Sequence, residues 1–90
     1  MENNILREGD LLEVGFIDVV ESCVWTPLEI ARCETCPECK VFGRFLNEDD
    51  KIIRLMLSIS SDGDCSFTLI PKGLITTIHR LNVEEPNESN

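Results

Sequence analysis

Ile52 to Ser60 (IIRLMLSIS) constrains the fold of this chain more than any other stretch. Ile53, Leu55, Leu57 and Ile59 alternate with Ile52, Arg54, Met56 and Ser58, and only a β-strand places alternate residues on one side of the backbone. Turn chemistry brackets the run on both sides. Asn47-Glu48-Asp49-Asp50 precedes it, and Ser61-Asp62-Gly63-Asp64 follows with the Asp-Gly pair of a tight hairpin. With register fixed at both ends, the odd-numbered face of this strand is expected to form the centre of the core.

The rest of the chain is read outward from this strand. Cys65 to Ile70 returns as the hairpin partner, Pro71-Lys72-Gly73 interrupts it, and Ile75 to Leu81 makes a last short strand. Val41 to Leu46 is an earlier strand, in which Gly43 is expected to mark a bulge or sharp bend. Gly9 to Val20 fits two periods. As a helix it would use Asp10 as N-cap and stack Leu12, Phe16, Val19 and Val20; as a strand it would align Leu12, Val14 and Phe16. Its β-branched residues and Gly15 disfavour a helix, so the strand is taken. Thr26-Pro27-Leu28-Glu29 has the pattern of a helix start with Thr26 as N-cap, predicting a turn or two of helix ending near Arg32. Five short strands with one helix between the first two predict a mainly β fold, a single small five-stranded barrel whose closure hides the sheet edges. It spans residues 1–81, with 82–90 (NVEEPNESN) as a disordered acidic tail.

The chain has 90 residues, room for one core only. Seventeen acids against eight bases give a net charge of −9, which opposes the counterion-release attraction that drives generic nucleic-acid binding and repels anionic lipid. No apolar run approaches the roughly 20 residues of a membrane span, and Met1 to Asp10 lacks the basic and apolar regions of a signal peptide. A cytoplasmic protein with reduced thiols is expected.

Gly9-Asp10-Leu11-Leu12-Glu13-Val14, Val41-Phe42-Gly43, Glu48-Asp49-Asp50 and Ile70-Pro71-Lys72-Gly73-Leu74-Ile75-Thr76-Thr77-Ile78 together resemble a group of small uncharacterised proteins of bacteriophage and prophage genomes. The proline and glycine before an isoleucine-rich final strand also resemble SH3-like and Sm-like barrels. The likeness covers roughly residues 9 to 81. It implies that small-barrel fold and action in a host cytoplasm, and it carries no catalytic motif. Arg54 stands about where an Sm-like RNA-binding Asn would fall, and Lys72-Gly73 only loosely echoes the Sm-like Arg-Gly knuckle, so RNA binding does not follow from it.

Cys33-Glu34-Thr35-Cys36-Pro37-Glu38-Cys39 lies outside that resemblance and holds two overlapping CxxC pairs. That spacing lets a turn aim two thiolates at one ion, and Cys23 is the natural fourth ligand of a tetrahedral zinc, with Cys65 or His79 behind it. The competing reading is that these are ordinary reduced cysteines in a surface loop, where the flanking Glu34 and Glu38 lower reactivity. His79, the single histidine, is expected to be an ordinary strand residue. With one histidine, no phosphate-cradling glycine loop and no nucleophile elbow, the usual catalytic designs lack parts, and no enzyme activity is expected. Trp25 either caps an open end of the barrel or anchors a partner, and capping is the plainer reading. Trp25 and Arg32 lie within the least regular stretch of the chain, Glu21 to Lys40, which Lys40 ends. The expectation is a non-enzymatic module that binds a protein or small ligand through residues 21–40, with Trp25, Arg32 and Lys40 as contacts. The alternatives are an Sm-like or SH3-like nucleic-acid binder and a sponge for a nucleotide signal; both need cations gathered on one face.

Overall fold

In the computed structural model, which describes residues 5–82, the bracketed alternating run forms a strand paired on both sides. The elements are β1 (Leu11–Ile17), α1 (Leu28–Ala31), β2 (Glu38–Glu48), β3 (Ile52–Ile59), β4 (Cys65–Pro71) and β5 (Ile75–Arg80), with a 3-10 turn at Lys72–Leu74. All neighbouring strands are antiparallel, in the order β4-β3-β2-β1-β5. Gly9 to Val20 thus resolves as the expected strand, ending at Ile17. Gly63 takes the positive φ of +93° that the Asp-Gly turn requires. Apart from Asn82, the tail expected at 82–90 lies outside the described residues.

The sheet is not the closed barrel that was expected: β4 and β5 are its two ends and share no ladder. It is nonetheless strongly curled. Four interstrand spacings would set the edges of a flat sheet about 19 Å apart, whereas the three residues between β4 and β5 span only about 6–8 Å. Three bulges supply the bend, each adding one residue to one strand of a pair: Leu46 in β2, Leu57 in β3 and Thr76 in β5. Gly43, the expected bulge, pairs regularly with Leu12. Its role is close approach, because a β-carbon there would lie 2.9 Å from the Met56 carbonyl oxygen and 3.1 Å from Leu55 Cβ.

The concave side holds the core: Leu12, Val14, Phe45, Ile53, Leu55 and Ile70 are buried, with Leu6, Phe16, Val41 and Ile75 packed against them. The odd face of β3 therefore fills the core only as far as Leu55. Leu57 is 46% exposed and Ile59 61%. The bulge explains the correction. Up to Met56 the strand pairs in step with β4, Leu55 opposite Thr68 and Met56 opposite Phe67; beyond it Ser58 faces Ser66 and Ile59 faces Cys65. One extra residue shifts the alternation by one, so Ile59 joins the convex side with Cys65 and Phe67.

Asp49 shapes the β2–β3 turn. Its Oδ1 accepts from the Lys51 and Ile52 amides at 2.8 and 2.9 Å, and its Oδ2 from Arg54 Nη2 at 2.9 Å. The backbone bond from Lys51, then that from Ile52, then Arg54, hold the carboxyl down at a pKa of about 2. A carboxyl held below its unfolded value of about 3.9 contributes stability above that value and loses it as pH falls toward 2. Carboxyl NMR titration should give Asp49 a midpoint near 2, and Arg54→Leu should raise it; an ordinary midpoint near 4 in the unaltered chain would contradict this turn.

Candidate functional site

Between β1 and β2 the chain leaves the sheet and returns to the point of departure. Ile17 pairs with Glu38, and the Asp18 amide donates to the Pro37 carbonyl at 2.9 Å. Every residue from 18 to 38 is exposed. This arm is held by short-range bonds: the Val24 amide donates to Ser22 Oγ at 3.2 Å, and the Thr26 hydroxyl to the Val24 carbonyl at 3.0 Å. Thr26 is thus not the helix cap. Pro27 occupies that position and no side chain caps it, while Arg32 ends the helix with its amide donating to Leu28 at 3.0 Å.

The arm is apolar where solvent would favour polar residues. Trp25 is 99% exposed, and Val19, Val20, Val24, Leu28 and Ile30 are exposed with it. Trp25 covers no part of the sheet, so the capping role expected of it is overturned. It instead borders an open hollow of about 630 Å3 with Val20, Cys23, Val24, Ala31 and Glu34. Charge on the arm is lopsided, with Asp18, Glu21, Glu29, Glu34 and Glu38 against Arg32 alone.

The other candidate residues are dispersed. Lys40 lies on β2, where its Nζ meets Glu13 Oε2 at 3.1 Å, apart from the exposed arm that carries Trp25 and Arg32. Cys23, Cys33 and Cys36 are exposed on the arm, whereas Cys39 is half-buried in β2 with its Sγ 3.9 Å from Asp18 Oδ2. Among the described residues no three His, Cys, Asp or Glu side chains are grouped so as to hold a metal ion. As folded, the four thiols expected to ligate zinc are not gathered, and no metal chemistry is derived from them. His79 is exposed on β5 opposite Glu13.

The cations that a phosphate-binding site would need are engaged separately. Arg54 is tied to Asp49 and to Asn47 Oδ1, Lys72 meets Glu48 at 2.8 Å, and Arg80 bonds Asp10 Oδ2 at 3.1 Å and the Ile5 carbonyl. A smaller crevice of about 400 Å3, bordered by Ile5, Arg7, Asp10 and Arg80, is partly neutralised by that Asp10.

The convex face was not legible as a site. Between Lys40 and Leu69, strand alternation places Lys40, Phe42, Arg44, Arg54, Met56, Phe67 and Leu69 on that side, with Met56 directly between Arg44 and Phe67. Phe42 and Phe67 are 55% and 59% exposed. Period-2 counting could have found it once β4 was paired with β3, since Phe67 and Leu69 then fall opposite the core face.

No helix among the described residues is long and apolar enough to cross a membrane. Comparison with protein-family models, curated proteins and solved structures finds no match for the chain.

Proposed function

We propose that this chain is a non-enzymatic interaction module of phage type, in which a curled SH3-like sheet serves as scaffold and the arm at 18–38 docks a protein partner. The observation that carries the reading is Trp25, almost wholly exposed on an arm whose other large apolar residues are exposed beside it. Leaving such a cluster in water forgoes roughly 1.5–3 kcal/mol for each large side chain that could be buried, and contiguous apolar surface rimmed by charge is characteristic of protein contacts. Tryptophan is the residue type most enriched among interface anchors. The scaffold reading is supported by a strand order that sets the first and last strands side by side, and by edge strands joined through a single turn.

The test compares the tagged chain with Trp25→Ala in cell extract. The protein captured by the unaltered chain should be lost with the variant, while the melting temperature of dilute protein stays within a degree or two because Trp25 supports no core residue. Undiminished capture by the variant would remove the anchor role.

A further inference from the structure

The chain carries two large apolar surfaces that do not cover each other. One is the arm. The other is the convex face of β2–β4, where Phe42, Phe67 and Leu69 are exposed around Met56. Their electrostatics are opposite. The arm outside β2 bears Asp18, Glu21, Glu29 and Glu34 against Arg32, whereas the convex positions of β2–β4 carry Lys40, Arg44 and Arg54, with Glu38 at the β2 end accepting from the Thr76 hydroxyl at 2.7 Å. Glu13 and Asp49 neutralise Lys40 and Arg54, but Arg44 donates to the Gly9 carbonyl at 2.9 Å, a neutral acceptor that leaves its charge uncompensated there. In a protein of net charge −9, a cationic apolar face is suited to an acidic apolar segment, and this sequence contains one.

We infer that the arm's partner is a second copy of this chain, with the arm of each protomer laid across the convex β2–β4 face of the other about a two-fold axis. The inference rests on the reading of the arm as the docking element. Reciprocal exchange covers both surfaces on both protomers, so the interface is self-complementary and closed. The exposed fractions of the apolar side chains on arm and face amount to roughly 1,000 Å2 per protomer, against the about 800 Å2 per partner of a specific interface. Pairing acid with base across the contact also offsets the repulsion that two chains of like net charge would otherwise feel.

Trp25 is the only tryptophan and the chain has no tyrosine, so its emission reports the contact directly. On raising the concentration of the full chain from nanomolar to high micromolar, sedimentation should move from monomer to dimer, and Trp25 emission should shift to shorter wavelength in parallel as the indole leaves water. Trp25→Ala, defective in the arm, and Phe67→Asp, defective in the face, should each sediment as monomers with the circular dichroism of the unaltered chain. Mixed, the two should form a heterodimer, because the face of the first accepts the arm of the second. Dimers of the Trp25→Ala chain alone would overturn the arm-to-face contact in favour of association through another surface, such as the β4 edge. Separate monomers in the mixture would also overturn it. A monomer with constant emission at every concentration would exclude the second copy, while loss of a different captured protein on Trp25→Ala would still support the arm as docking element.

Discussion

Truncating Leu55 to alanine is expected to remove much of the stability of the fold, whereas truncating Leu57, two residues along the same strand, leaves it nearly unchanged. The substitutions are chemically identical and the environments are not. Leu55 is fully buried in a core of six large apolar side chains. Such a core has few neighbours able to relax into the vacated space, so Leu55→Ala should cost about 2–5 kcal/mol. A small domain has only about 5–15 kcal/mol in all, so the loss takes much of its stability. Leu57 occupies the bulge and already exposes nearly half its surface. Its truncation should cost about 1 kcal/mol or less. Denaturant midpoints of the two variants measure the difference. Equal losses would mean that β3 continues unbulged into the core.

The same strand shows what local sequence conveys and what it does not. The alternation of Ile53 and Leu55 and the Asp-Gly turn at 62–63 are local signals, and the fold obeys both. The extra residue at Leu57 is set by pairing with β4, which no pattern inside β3 reveals. Gly43 was legible as a special position but not in kind, because a bend and a close approach to the Met56 carbonyl both call for a missing side chain. Closure of the barrel was overestimated. A short β4–β5 link requires curling, but it does not require the edges to hydrogen-bond. The segment at 21–40 was singled out as a candidate by its irregular composition. The choice between the two readings of Trp25 was not legible, because whether a tryptophan turns toward its own sheet or away depends on the path of the whole arm. Lys40 was grouped with that segment by proximity in sequence, yet it is the third residue of β2, paired with Gly15, and is drawn sideways to Glu13.

The proposed division of labour between sheet and arm predicts an effect of comparable size on binding. The arm leaves and rejoins the sheet at adjacent residues, Asp18 and Pro37, already linked by a backbone hydrogen bond. No buried core residue lies between them. Replacing residues 19–36 with an Asn-Gly turn should therefore remove the proposed docking surface while leaving the ladder from Ile17 and Glu38 onward intact. Shortening the connection should also lower the entropy cost of closing it, by about 1–2 kcal/mol. Thermal melting of this shortened chain, followed by circular dichroism on dilute protein and run beside a capture assay, is the most direct measurement of whether the sheet is scaffold and the arm is tool. The expected result is a β-sheet spectrum with a melting temperature equal to or above that of the full chain, together with complete loss of capture. A shortened chain that fails to fold, or one that folds and still captures the partner, would contradict the account.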